Sequence, residues 1–191
     1  MASEAPPVTT PVALEPNLGN KMVTIYVGPK RKEFTIHKEL ICGSADYFEK
    51  AFNGKFKEGR EGIMYLPEDN PGAFSFFVDW LYRSSLPAGH PQSYLVNLYH
   101  LWIFATKIFL TKLADDVMDR IQDTCKKYNQ FISDELLKEI WGLTETDSML
   151  RTWAFDLKMY QMFENKKRSE DGGDTFYFSE DNRCKDFSLR L

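Results

Sequence analysis

The sequence has little cysteine and little histidine, with three of each among its 191 residues. Cys42, Cys125 and Cys184 stand far apart, so the sequence predicts neither a disulfide framework nor a zinc site with paired cysteines. Reduced thiols are typical of proteins inside the cell. We therefore expect a cytoplasmic location, a nuclear location or both.

The sequence also lacks an excess of positive charge and a long apolar run. Its 24 Lys and Arg residues are outnumbered by 28 Asp and Glu residues, whereas a nucleic-acid binder normally concentrates Lys and Arg on one face. No apolar run approaches the roughly 20 residues that cross a bilayer, and residues 1–16 lack the basic-then-apolar pattern of a secretory signal. We predict neither a nucleic-acid partner nor a membrane partner.

Apolar residues make up 43% of the chain and aromatic residues 15%, which is enough for one compact domain with an extension. The many rings indicate an aromatic core or an interface. Proline-rich residues 1–20 are predicted to be a disordered tail. We place the domain at 21–128, a helical extension at 129–165 and a flexible charged tail at 166–191.

Three short segments have the pattern of β-strands. The run Met22–Val27 is rich in β-branched residues, and its alternate members lie on one face of a strand. A polar turn follows it, and the alternation in 33–36 predicts an antiparallel partner. The apolar run 63–66 is predicted to be a third strand.

Helical periodicity covers most of the remaining chain. The stretch 40–52 is predicted to form two short helices that separate near Gly43, with Ser44 as the N-cap of the second, followed by a polar loop over 53–62. Asn70 and Pro71 form a strong helix start. Further apolar stripes predict helices over 94–109, 113–121, 134–141 and 148–163.

The stretch 34–48, Phe-Thr-Ile-His-Lys-Glu-Leu-Ile-Cys-Gly-Ser-Ala-Asp-Tyr-Phe, resembles the signature of the BTB/POZ domain family, particularly its fungal members. The resemblance continues in 63–69 and 74–82. It implies an α+β fold in which a small three-stranded mixed sheet is flanked by a cluster of helices and followed by a helical extension. The residues that carry this structural signature are His37, Leu40, Ser44, Phe48, Asp69, Leu81 and Tyr82.

No motif for catalysis or for metal binding stands out. His37 lacks a partner at ligand spacing, and the resemblance implies that it is a buried, hydrogen-bonding residue. Ser44 lacks a nearby base, so a helix cap is favoured over a nucleophile. We predict no catalytic, metal-binding or cofactor-binding residue, no cofactor and no enzymatic activity.

The triplet Phe56-Lys57-Glu58 is the sharpest functional signal. Family members that dock onto a cullin carry a hydrophobic-x-acidic triplet before the third strand, so the resemblance implies that Phe56 and Glu58, with Tyr47, contact a cullin scaffold. A ring supplies buried area and a carboxylate supplies register. The competing interpretation is an ordinary loop with a half-buried Phe.

Three functions stay open at this point. The first is a protein-interaction module that acts as a substrate adaptor for a cullin-based ubiquitin ligase. The second is a self-associating scaffold or transcriptional co-regulator, with a homodimer as a further alternative, although Lys21 and Met22 stand where animal family dimers carry an Asp. The third is an unrecognised enzyme.

The extension contains the pair Leu150-Arg151, which fungal family members also carry after the domain. An amphipathic helix pair there either lengthens a partner-binding groove or caps the exposed apolar end of the last helix of the domain. We favour capping.

Overall fold

A computed structural model of the protein describes residues 18–89, 91–128 and 132–171. The elements are, in chain order, β1 (Met22–Val27), β2 (Lys32–His37), α1 (Lys38–Ser44), α2 (Asp46–Asn53), α3 (Lys57–Glu61), β3 (Ile63–Leu66), α4 (Pro71–Arg83), α5 (Pro91–Lys107), α6 (Thr111–Tyr128), α7 (Asp134–Leu143) and α8 (Met149–Asp171).

The three strands form one mixed sheet with the order β2-β1-β3. β1 and β2 are antiparallel and joined by a turn in which the Arg31 amide donates to the Gly28 carbonyl at 3.0 Å. β1 and β3 are parallel, with Thr24 opposite Ile63 and Val27 opposite Leu66. The predicted fold class, a three-stranded mixed sheet flanked by helices, is confirmed.

The inner face of the sheet is apolar because alternate side chains of a strand point to the same side. Val23, Ile25 and Val27 of β1 and Ile36 of β2 are all buried. This face packs on helices rich in phenylalanine.

The centre of the core is a chain of aromatic rings. The rings of Phe48 and Phe77 lie 5.8 Å apart, those of Phe74 and Phe77 5.4 Å apart, and those of Phe77 and Phe104 5.4 Å apart. The last two pairs meet edge to face, which the ring quadrupoles favour. Phe77 therefore joins α2, α4 and α5 in one cluster.

The break between α1 and α2 lies at Ala45, not at Gly43 as predicted. Ala45 is extended (φ −154°, ψ 138°) and takes the N-cap position of α2. Ser44 ends α1, and its hydroxyl donates to the Ile41 carbonyl at 2.7 Å. The prediction of Ser44 as an N-cap is wrong, because its hydroxyl bonds back to the preceding turn instead of forward.

The segment 53–62 is not wholly a loop, since it contains the five-residue helix α3. Gly62 ends that helix in the left-handed conformation at φ 68°, and its amide donates to the Glu58 carbonyl at 2.8 Å. A glycine at this position carries no Cβ penalty. The chain thereby turns directly into β3.

The predicted helix start at Asn70 is confirmed. The Asn70 side-chain oxygen accepts from the amides of Gly72 at 2.8 Å and Ala73 at 3.1 Å, and Pro71 follows the cap. These bonds satisfy two of the amides that a helix start leaves without partners.

The C-terminal extension packs against the domain chiefly through α5. Ile140 of α7 and Leu150 of α8 are buried in the common core, the Tyr99 and Trp153 rings lie 6.3 Å apart, and the His100 imidazole lies 3.2 Å from a Glu139 carboxylate oxygen. These contacts join the extension to the helix before the last helix of the domain, and the expected capping of the last helix stays a prediction.

The Leu150-Arg151 pair has two different structural tasks. Leu150 is buried, whereas the Arg151 guanidinium donates to the carbonyls of Trp141 and Thr144 at the end of α7 and lies over the Trp141 ring. A cation at a helix C-terminus satisfies orphan carbonyls and favours the helix dipole. The pair thus joins α7 to α8.

Helix α8 continues to Asp171, so residues 166–171 belong to the helix and not to the predicted flexible tail. The rest of that predicted tail, 172–191, and most of the predicted N-terminal tail lie outside the described residues. None of the helices in the described ranges is both long enough and apolar enough to cross a membrane.

Candidate protein-binding site

The triplet Phe56-Lys57-Glu58 lies at the start of α3. Phe56 occupies the N-cap position with 63% of its surface exposed, and Glu58 is half-buried in the first turn. The half-buried Phe of the competing interpretation is absent, since the ring faces solvent. An exposed aromatic ring beside a carboxylate is suited to contact with another protein.

Glycines hold α3 close to the end of α2. A Cβ placed on Gly59 would lie 2.6 Å from the Gly54 carbonyl oxygen and 3.0 Å from the Phe52 carbonyl oxygen. These are backbone atoms that cannot move aside easily. The close approach holds α3, with Phe56 at its start, against the end of α2.

Tyr47 lies on α2, with 36% of its surface exposed. Burial raises the pKa of Tyr47, the Lys107 ammonium lowers it, and the carboxylates of Asp69 and Glu58 raise it. Groups from α3, α5 and the turn before α4 thus act on one hydroxyl of α2. We call the surface formed by Tyr47, Phe56 and Glu58 the docking surface.

An ion pair lies beside the docking surface. Lys107 Nζ lies 2.8 Å from Asp69 Oδ2, and the Asp69 side chain is only 11% exposed. The two residues are 38 positions apart in the chain, and the bond joins the end of α5 to the turn that precedes α4. It gives Asp69 of the family signature a structural task.

His37 and Tyr82, also of the signature, form a hydrogen-bonded pair. His37 Nδ1 lies 2.6 Å from the Tyr82 hydroxyl oxygen. The resemblance implied burial, which is wrong, because His37 is half-buried and Tyr82 is 38% exposed. The pair fastens the end of β2 to the end of α4.

The other signature residues differ in their surroundings. Phe48 is fully buried and Leu81 packs on the edge of the core. Leu40 is half-buried, whereas Ile41 and Cys42 of α1 are buried in the core. These positions support the sheet and helices and do not form a site.

Lys107 and Phe109 were missed by sequence reasoning. The predicted helix ran to 109, but α5 ends at Lys107, and Phe109 sits at φ 58° with 90% of its surface exposed. A positive φ is uncommon for a residue with a side chain. No local signal separates this phenylalanine from the apolar helix before it.

Within the described ranges, no group of three or more His, Cys, Asp and Glu side chains is placed to hold a metal ion. The described surface around Phe56 is instead a mixture of rings and charges.

Comparison with known proteins agrees with this arrangement. No protein of curated function matches the chain. The family model described as BTB/POZ domain matches residues 20–116, which is just over half of the 191 residues. This span contains the sheet, the helical pair, the docking surface and the ring cluster. The chain belongs to the BTB/POZ domain family.

Proposed function

We propose that this protein-protein interaction module is an adaptor that docks onto a cullin-type scaffold through Tyr47, Phe56 and Glu58. The BTB/POZ domain supports the role of interaction module. The choice of a cullin rests on the likeness of Phe56-Lys57-Glu58 to the triplet of cullin-binding family members. In this role the protein presents a substrate to a ubiquitin ligase and performs no chemistry itself.

The observation that carries the proposal is the exposure of Phe56 at the start of α3, with Glu58 two residues further on in the first turn. A large ring that is 63% exposed leaves apolar area in contact with water, and its burial against a partner releases that water. Interface energy is concentrated in a few such anchors. The exposed Phe56 ring lies outside the core, where a partner can reach it.

Glu58 complements the ring because a carboxylate selects partners by charge. It lies half-buried near Tyr47, and its charge acts on that hydroxyl. The partner that fits this surface offers an apolar pocket for Phe56 and a Lys, Arg or hydrogen-bond donor for Glu58. Charged contacts of this kind fix register and orientation.

The test is a pull-down with the N-terminal domain of a cullin from the same organism. We expect the native chain to retain the cullin domain and the double variant Phe56→Ala, Glu58→Ala to lose it. Lys57→Ala is the matched control, because Lys57 lies between the two residues and is 70% exposed. Equal retention by the double variant and the native chain would remove the docking surface from the proposal.

Two finer assignments belong to the same proposal. The Leu150-Arg151 pair supports a place among the fungal members of the family. The sparse cysteines, of which Cys42 and Cys125 are free and buried, support a location in the cytoplasm or nucleus. Imaging of a tagged full chain in its own cell tests that location.

A further inference from the structure

Helix α8 has two apolar sides. Its inner side is formed by Leu150 and Ala154, which are buried, and by Trp153 and Leu157, which pack on the core. A second series follows the spacing i, i+4, i+7 and i+8, which places side chains along one helix face. We call this series, Phe155, Met159, Met162 and Phe163, the outer stripe.

The outer stripe is largely exposed. Phe155, Met162 and Phe163 have 47%, 57% and 65% of their surfaces accessible, and Met159 is half-buried. The stripe continues onto α7, where the Trp141 ring lies 6.1 Å from the Phe155 ring. A contiguous apolar patch of this kind marks a surface that another segment covers.

We propose that the outer stripe is the binding site of the chain's own aromatic triplet Phe176-Tyr177-Phe178. The 20 residues 172–191 follow the end of α8 at Asp171 directly. They start with Gly172 and Gly173, which allow the backbone to reverse direction. Aromatic rings suit a stripe that contains two methionines, since thioethers make favourable contacts with rings.

The lengths agree. Phe163 lies eight residues before Asp171, which is about 12 Å along a helix at 1.5 Å per residue. An extended return from Gly172 to Phe176 covers about 13 Å at roughly 3.3 Å per residue. Tyr177 and Phe178 then come level with the middle of the stripe, near Met159.

The occupant we propose is a segment of the same molecule, because a tethered segment is present at high effective concentration.

Disulfide trapping tests the proposal in the full chain with Cys184 replaced by serine. Cys42 and Cys125 are buried and do not compete. One variant carries Met162→Cys with Tyr177→Cys, and the matched control carries Met162→Cys with Phe187→Cys. If residues 172–191 did not bind the outer stripe, loop-closure entropy would favour closure of the 162–177 pair over the 162–187 pair by only about twofold.

We expect the 162–177 pair to close within one molecule at least tenfold faster than the 162–187 pair. A ratio near twofold overturns the proposal, and so does the formation of disulfide-linked dimers, which would assign the stripe to a second copy. A second readout leaves the stripe native. Serine at 176, 177 and 178 together should raise the fluorescence of an apolar dye several-fold over Phe187→Ser, and equal fluorescence of the two variants overturns the proposal.

Discussion

The hydroxyl of Tyr82 joins both the side chain and the backbone of His37, 45 residues earlier in the chain. The His37 amide donates to that oxygen at 3.1 Å, and His37 Nδ1 lies 2.6 Å from it. Because the hydroxyl accepts from the amide, its own proton is available to Nδ1. Nδ1 is the acceptor when the imidazole is the tautomer that carries its proton on Nε2.

Replacement of Tyr82 by phenylalanine removes both bonds and leaves the shape of the ring intact. We expect Tyr82→Phe to lower the free energy of unfolding by about 1–2 kcal/mol, since each net hydrogen bond contributes about 1 kcal/mol and part of the pair is exposed. Urea unfolding measures the change. Tyr128→Phe, at a 43% exposed tyrosine, is the control, and an equal loss in both variants contradicts the account.

The same substitution has a different expected result at Tyr99. The Tyr99 hydroxyl is buried, and no described group meets it with hydrogen-bond geometry. Burial raises the pKa of this hydroxyl well above its usual value, and the nearby Cys125 thiol raises it further. A buried hydroxyl without a partner costs free energy. We expect Tyr99→Phe to leave the unfolding free energy unchanged or to raise it by up to about 1 kcal/mol. A loss comparable to that of Tyr82→Phe would show that the hydroxyl has a partner.

The cap of α4 gives a third prediction. Asn70→Ala removes the acceptor for the amides of Gly72 and Ala73, and we expect a loss of about 1 kcal/mol in thermal or urea unfolding. Asn70→Asp retains a side-chain oxygen at the cap and should recover most of the stability. Equal loss in the two variants would mean that the cap bonds do not stabilise α4.

Cys125 gives a pH dependence. Burial raises the pKa of its thiol from 9.0 to about 11. The buried neutral thiol therefore stabilises the fold fully below pH 9, and this contribution is lost as the pH rises from about 9 to about 11. We expect the native chain to lose about 2 kcal/mol more than Cys125→Ala over that range.

Parallel urea titrations of the native chain and Cys125→Ala at several pH values measure this difference. The Cys125→Ala variant is less stable at pH 7, because it leaves a small cavity. Only the difference in slope between the two pH profiles tests the thiol. Parallel profiles contradict the assigned pKa.

Elements with a strong local pattern were predicted from the sequence. β1 follows from its β-branched alternation, and α4 follows from Asn70 and Pro71, since both signals act within a few residues. The helix α3 was missed because five residues between Asn53 and Gly62 carry no apolar period. Its formation depends on the close approach of Gly59 to the end of α2.

The surroundings of the docking surface could not be predicted, because they depend on contacts between residues far apart in the chain. Lys107 meets Asp69 across 38 residues, and such a contact depends on how α5 packs on the rest of the fold. The likeness to a family pointed to Phe56 and Glu58, but the exposure of the Phe56 ring depends on the tertiary structure. The wrong prediction for Ser44 has a similar cause. Its role as an N-cap depended on whether its hydroxyl would bond to the preceding turn or to the following one.

We propose that the α2 and α3 surface around Phe56 meets a cullin-type partner. Hydrogen–deuterium exchange of the full chain, with and without the cullin N-terminal domain, is the decisive measurement. We expect slower amide exchange in 46–62 on addition of the cullin domain, and no such slowing in the double variant Phe56→Ala, Glu58→Ala. Slower exchange elsewhere with 46–62 unchanged, or no change at saturating cullin domain, would contradict it.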